Sequence, residues 1–435
     1  MVEGAAPAAP SDRPARFREV FAVGEFRILW LAHVQSVVGD QLARVALSIL
    51  VFDRTGSPAW AALTYAMTIL PNLAGGALLS GLADRFPRRQ VMVAADAIRA
   101  VLVAVMALPG QPIAVMVVLL GVVQVLFAPF SAARNAVVPR VLDGDRYVVG
   151  LAVMRTTDQL GMVVGFGAGA ALVVALGTHT TLFLDAATFA VSALLVSLGV
   201  RPHRSAAGDA DVRTARRWWA SVRAGFGLVM GDRRLRALVG LACVSGFYVV
   251  PEGLAVPYAA QIHGGTAAVG FLLAANPVGA VVGMLTLKSV RPSWRVTLMG
   301  PLAVATCLVL LPTAWAPALA ATAALVVTVV LWVANGLFSA YDMVAQSSFV
   351  QIVPDASRGQ AIGLASAAMQ GAQGLGVVIG GLVADVLTPA VVIGIASVAG
   401  TLAAFAAANA WRRAAASPLA RDGWGEAGEM SGSGN

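Results

Sequence analysis

Three ionisable side chains share one face of the first long apolar stretch. His33, Val37, Asp40 and Arg44 follow i, i+4, i+7, i+11 spacing, which aligns them along a helix. Asp40 then lies about fourteen residues from the start of the stretch, roughly 21 Å along the axis at 1.5 Å per residue. In a bilayer, an isolated charge at that depth costs at least about 2.5–3.5 kcal/mol. It must pair, face water or take up a proton. Arg44, one turn on, is an available partner. Two readings therefore stand: a proton or substrate-cation site at Asp40, and a static Asp40–Arg44 bridge.

Other candidates sit in other apolar stretches. Glu252 lies between Pro251 and Pro257, which should break or bend a helix and place a carboxylate at a flexible point. It is read either as a proton carrier or as a rim residue in water. Asp342 and Gln346 are one helical turn apart beside Asn335 and Tyr341, with a gate and a cavity role equally open to Asp342. Asp158, Arg155 and Asp185 read as structural pairs. Tyr65, Trp332 and Tyr248 are candidates for an apolar binding surface, although a lipid-facing or packing role explains each better. There is no G-x-x-x-x-G-K-[ST] nucleotide loop, no nucleophile triad and no metal-ligand cluster. No catalytic residue, metal or cofactor is therefore expected, the chain is not read as an enzyme, and a proton gradient is the expected energy source.

The elements that carry these residues follow from composition. Of 435 residues, 58% are hydrophobic and only 12% charged, against roughly 25% charged in a soluble domain. Cys243 and Cys307 both fall in apolar stretches, which argues against a disulfide framework or metal site. The net charge of +8 comes from residues between apolar spans, not from a basic face for nucleic acid. A single lysine, Lys288, amid abundant Ala, Gly and Val fits a GC-rich bacterial genome. Twelve spans are predicted near 26–52, 58–80, 90–108, 112–137, 147–176, 180–200, 237–261, 267–288, 297–314, 318–346, 360–386 and 390–411. Each is long enough for a bilayer core of about 30 Å.

With the N-terminus in the cytoplasm, about 25 of the 30 basic residues fall on the cytoplasmic side, and the opposite side receives Arg54 alone. Arg44, Arg99, Arg134 and Arg155 lie within spans. The expectation is a multi-pass protein of the cytoplasmic (inner) membrane with both termini cytoplasmic, inserted by its first span without a cleavable signal. Its organisation reads as an N-terminal segment (1–25), a six-helix bundle (26–200), a cytoplasmic linker with an amphipathic helix (201–236), a second six-helix bundle (237–411) and a disordered tail (412–435). The halves look like repeats: Pro139/Pro354, Gly161/Gly376 and Gly165/Gly380 all differ by 215 positions. Parallel six-helix repeats point to a transporter with its site between the halves.

At this point the chain resembles the major facilitator superfamily, over nearly its whole length. The loop Ser80-Gly81-Leu82-Ala83-Asp84-Arg85-Phe86-Pro87-Arg88-Arg89 is similar to the family motif G-x-L-A-D-R-x-G-R-R, with Ser80 and Pro87 in place of its glycines. The resemblance places Asp84 near the start of the eleventh span, around 358–360, where a carboxylate at a helix N-terminus gains roughly 0.3–1 kcal/mol. It implies a latch that holds the cytoplasmic side closed, built on Asp84, Arg85, Arg88 and Arg89 and extended by Asp96, Arg99 and Arg134; enforcing topology is the simpler role for Arg88 and Arg89. The run Gly161-Met-Val-Val-Gly165-Phe-Gly167-Ala-Gly169 resembles the family's antiporter motif G-x-x-x-G-P-x-x-G-G, with Phe166 and Ala170 as departures. Close helix packing on Gly161, Gly165 and Gly169 is an equal reading. Val38-Gly39-Asp40-Gln41 and the segment from Phe130 to Pro139 resemble bacterial exporters of the macrolide and enterobactin type. The expected fold is all-α with twelve transmembrane helices in two six-helix pseudo-repeats. The resemblance implies a monomeric, proton-coupled exporter of drug-like or natural-product molecules whose partners are its small-molecule substrate, protons and the lipid bilayer. Nutrient import on the same fold and a non-transporting receptor are the alternatives.

Overall fold

The structure, a computed structural model, describes residues 16–79, 82–202, 223 and 225–416. Among them there are helices and turns and no strands. The first half contains α1 (Phe17–Ala22), α2 (Gly24–Thr55), α3 (Pro58–Ala66), α4 (Leu70–Leu79), α5 (Leu82–Arg85), α6 (Arg88–Met106), α7 (Ile113–Val141), α8 (Asp145–Leu176) and α9 (Thr178–Gly199). The second contains α10 (residues 225–231), α11 (Arg233–Cys243), α12 (Ser245–Tyr248), α13 (Val250–Gly253), α14 (Ala255–Gln261), α15 (Gly265–Lys288), α16 (Pro292–Leu308), α17 (Ala321–Ser339), α18 (Tyr341–Ile352), α19 (Arg358–Ala384) and α20 (Pro389–Ala415).

Ten helical stretches among the described residues are long and apolar enough to cross a membrane. Two predicted spans do not meet that test, and the sequence shows why. The second divides into α3 and α4 around a turn at Met67–Ile69. Pro71 has no N–H to offer the Met67 carbonyl, so the helix cannot run through unbroken. The third is α6, whose 19 residues include Arg88, Arg89, Asp96 and Arg99. The seventh span carries the bend expected of Pro251 and Pro257, as short helices α11 to α14 joined at Val244, Val249 and Leu254.

Punctuation between helices is local. Gly56, in the left-handed region at φ +66°, ends α2 by donating its N–H to Phe52 O at 2.7 Å. Ser57 caps α3, and Pro58 takes its first position, where no N–H is needed. Large apolar side chains such as Leu78, Leu198 and Val386 project from the bundle exterior, where lipid is their natural solvent.

The start of α2 at Gly24 and the end of α20 at Ala415 lie at one end of the bundle, here the terminal end, and the α2–α3 and α19–α20 connections lie at the other, the distal end. The halves meet through α8 against α15 and α3 against α19. Contact runs from the distal end to mid-height: Gly381 lies against Ala59 and Ala62, Gly270 against Ala170, and Gly374 against Leu70. Towards the terminal end of α19, a methyl group added at Gly359 or Gly363 would meet no atom of the described residues within 4 Å. Within each half, glycines bring two helices together. Gly161 and Gly165 on α8 receive Val37 and Gln41 of α2; Gly376 and Gly380 on α19 receive Gly246 and Val250 of α12 and α13.

Of the expected linker helix, residues 203–222 and 224 lie outside the described residues; α10 packs on α19, with Gly225 against Gln360. The tail was expected to begin at 412, but α20 continues to Ala415, with Arg412 and Arg413 in its last turn, where cations suit the helix dipole. Residues 417–435 lie outside the description.

Candidate functional site

The face of α2 that carries His33, Asp40 and Arg44 is divided among three separate sets of partners. Asp40 does not pair with Arg44. Its Oδ1 accepts from Arg99 Nη2 at 2.6 Å, across from α2 to α6. A neighbour one turn away on the same helix must reach along the axis, whereas Arg99 arrives face-on from a packed helix. Arg99 is fully buried, reaches Asp96 Oδ1 and Ser36 Oγ at 3.3 Å each, and lies 4.0 Å from the Phe189 ring centroid. Asp96 Oδ2 in turn accepts from Ser192 Oγ at 2.5 Å. Asp185 stands within electrostatic reach of Asp40 and Arg99, fully buried, with Oδ2 unpartnered. It approaches α2 only because position 39 is glycine: an added Cβ would lie 2.6 Å from Thr188 Oγ1 and closer still to Asp185 Oδ1. The result is three carboxylates around one guanidinium. Asp96 and Asp185 are 0% exposed, while the Asp40 side chain is 13% exposed, so Asp40 is the member that water reaches.

The second set is His33, Arg134 and Asp158. Arg134 donates to His33 Nδ1, which leaves the ring proton on Nε2, 2.8 Å from Asp158 Oδ1. Asp158 thus meets His33 rather than the expected Arg155. The third set joins the two halves. Arg44 lies 5.1 Å from the Tyr65 ring centroid and 5.8 Å from that of Phe166. Tyr65 donates its hydroxyl proton to Glu252 Oε2, tying α3 to α13. Glu252 is therefore packed at the interface of the halves and not at a watery rim. Tyr65, Tyr248 and Trp332 are all buried in packing.

A further contact between the halves sits at the distal end. Asp385, just beyond α19, accepts from Ser57 Oγ at 2.9 Å and from the backbone N–H of Ala59 at 3.0 Å. One half thereby supplies an acceptor for an orphan N–H in the first turn of a helix in the other. No helix-face or motif argument singled out Asp385; the only signal was the cap-like Ser57-Pro58 pair, which announces a helix start but not its partner.

The loop expected to form a latch is divided as well. The side chain of Asp84 lies outside the described residues. Arg85 is exposed, 5.9 Å from the Phe86 ring centroid. Arg88 Nη1 donates to Ala136 O at 2.7 Å, and Arg89 donates to Ser197 O, so both hold neighbouring helices of their own half. Asp96, Arg99 and Arg134 do not extend that group. Arg99 is eleven residues beyond Arg88, about 16 Å deeper at 1.5 Å per residue, and bonds Asp40; Arg134 bonds His33. In the other half, Gln346 Nε2 donates to Asp342 Oδ2 at 2.7 Å. Gly161, Gly165 and Gly169 face Val37, Gln41 and Val45, making the glycine run of α8 a bed for α2. The described residues contain no group of His, Cys, Asp and Glu suited to a metal ion.

Comparison with known proteins agrees with this architecture. The chain is 26% identical over 293 residues to the multidrug efflux pump Tap of Mycobacterium tuberculosis, covering 62% of this chain and 67% of that protein. It is 28% identical over 285 residues to the enterobactin exporter EntS of Escherichia coli, covering 61% of this chain and 65% of that one. The fold superposes on the crystal structure of the nucleoside transporter NupG with a TM-score of 0.67 at 15% identity, over 88% of this chain and 99% of that one. Residues 29–332 match the sequence profile of the Major Facilitator Superfamily, and the chain belongs to that family of membrane transporters, not to an enzyme family.

Proposed function

We propose that this protein is a secondary active exporter of small drug-like or natural-product molecules, driven by a proton gradient and working by alternating access. The observation that carries the reading is the cluster of Asp40, Asp96 and Asp185 around Arg99. One buried guanidinium cannot compensate three carboxylates in a low-dielectric interior. Two negative charges remain unless protons are held there. Asp40, the partly hydrated member, is the point of exchange: when it takes up a proton it releases Arg99, for which Asp96 is already in place as the remaining partner.

Export is supported by the names of Tap and EntS, both exporters. We count α3–α4 and α6 as the second and third of twelve spans, in two six-helix repeats. The glycine beds of α8 under α2 and of α19 under α12–α13 occupy corresponding places in the two halves and support that count. The excess of basic residues supports a cytoplasmic terminal end; we read the protein as a monomer of the cytoplasmic membrane. The distal contacts then close the outer side. Among the described residues, Tyr65 to Glu252 and Asp385 to Ser57 and Ala59 are polar links of this closure, and hydrogen bonds of this kind suit an interface that must reopen.

The test is uptake into everted membrane vesicles with an imposed pH gradient. Accumulation of a cargo from a broad drug and siderophore panel under an inside-acid gradient, abolished by a protonophore, is expected. Accumulation only under the opposite gradient would make the chain a nutrient symporter, and no gradient-dependent movement of any compound would remove the transport reading.

A further inference from the structure

We propose that the second half holds a cleft for a small amphiphilic cation, read by Gln346 with Asp342 behind it. The cleft lies among α11, α18 and α19, its enclosed part small, ≈ 80 Å³, and the rest partly open; a cleft between the helices of a bundle is a usual place for a small-molecule site. Its walls are mostly apolar, with Leu238, Ala242, Phe349 and Met369 among them and Gln346 and Ser366 as the polar side chains. The wall formed by α19 belongs to its terminal part, short of the point at Gly374 where the other half covers it. A molecule entering between the halves from the terminal end therefore meets this surface.

Charge decides the class of occupant. In the first half each carboxylate of the site has a basic side chain near it: Asp40 and Asp96 bond Arg99, Asp185 lies within electrostatic reach of the same guanidinium, and Asp158 meets His33. Asp342 differs. Its one hydrogen bond among the described residues is to the neutral amide of Gln346, its Oδ1 is buried and accepts none, and Tyr248 and Tyr341 are its other close neighbours. No arginine, lysine or histidine pairs with it among the described residues. A carboxylate held away from water without a counter-charge attracts a cation. Gln346 can serve one: its Nε2 donates to Asp342, and its Oε1 is an acceptor on a residue that lines the apolar cleft. A cationic head at Gln346 with an aromatic or aliphatic body along Phe349 and Met369 satisfies both features. The two halves then divide the work, with proton exchange at Asp40 and cargo charge at Asp342. The identity of this cation as cargo rests on the exporter reading; its binding does not.

The experiment is equilibrium dialysis of radiolabelled tetraphenylphosphonium against the purified full-length chain in detergent, with tetraphenylborate as a size-matched anion. Saturable binding of the cation and none of the anion is expected. Asp342→Asn, which removes the charge, and Met369→Trp, which fills the cleft, should each weaken the cation by at least about tenfold. Gln346→Ala, at an exposed side chain, replaces Asp342→Asn as the test if that variant does not elute as a folded monodisperse species. No saturable binding by the unaltered chain, equal binding of the anion, or unchanged affinity in the folded variants overturns the proposal. Site-dependent binding without gradient-driven transport in vesicles would fell the exporter reading and leave the cleft standing; transport without site-dependent binding would do the reverse.

Discussion

Replacing Asp385 with alanine removes two hydrogen bonds that cross from one half of the bundle to the other, at 2.9 Å to Ser57 Oγ and 3.0 Å to the Ala59 N–H. A hydrogen bond to a charged group contributes roughly 1.5–3 kcal/mol, and loss of a helix cap costs about 0.5–2 kcal/mol. These figures describe overlapping effects and do not add. Asp385 is exposed, so water offers each donor an alternative and the lower part of the range applies, about 1–2 kcal/mol. Because the bonds exist only while the distal end is closed, the whole loss falls on that state, and the ratio of distal-open to distal-closed molecules should rise by about 5–30-fold. Asp385→Asn keeps an acceptor oxygen without the charge and should fall between the wild type and alanine. Spin labels at Leu108→Cys in one half and Thr388→Cys in the other, in a Cys243→Ala background, would report the distal separation by pulsed electron resonance. A longer-distance population that grows in the order wild type, Asp385→Asn, Asp385→Ala is expected. Distance distributions of wild type and Asp385→Ala that coincide would refute the argument that this carboxylate holds the outer side shut.

Four further outcomes follow from the geometry. Asp40→Asn should insert and fold normally but lose gradient-driven transport; transport at the wild-type level would remove Asp40 from proton coupling. Gly39→Ala should destabilise the protein by about 1–3 kcal/mol through overpacking against Asp185 and Thr188, read as a lowered melting temperature in detergent, and an unchanged melting temperature would contradict the packing. Tyr65→Phe deletes the hydroxyl that bonds Glu252 and should move the same spin-label distribution towards distal-open by about 1 kcal/mol, roughly fivefold, with no movement counting against a linking role. Asp84→Asn should shift the population in the opposite sense to Asp385→Ala, towards the state open at the terminal end, seen as reduced cross-linking across that face; unchanged cross-linking would end the latch reading of Asp84.

The parts of this molecule that depend on neighbours in sequence were legible, and those that depend on neighbours in space were not. Hydropathy places the helices, because burying twenty apolar residues in lipid is a property of the segment alone. It falters at Pro71 and in α6, where one proline or four charges offset the local signal. Helical spacing correctly aligned His33, Asp40 and Arg44, and Pro251 and Pro257 announced a broken helix. Spacing could not choose partners, however. Asp40 takes Arg99, fifty-nine positions away, and Asp385 takes Ser57, 328 away. A bond within a helix competes with every donor that packing brings to the same face, and a buried guanidinium with fixed geometry prevails over a flexible one that must curl back along its own helix. Gly39 shows how much can hang on a residue without a side chain: its missing Cβ admits Asp185 to the cluster, and nothing local to Gly39 records that a carboxylate from another helix occupies the space. Within the first half the groups around Arg99 and His33 are buried and costly to separate, while Glu19–Arg146 and Asp355–Arg358 lie exposed at the surface; among the described residues the polar links that bridge the halves are few, with Asp385 exposed at the distal end. A body whose halves are each firmly knit but lightly joined is the mechanical requirement for rocking between two faces of a membrane.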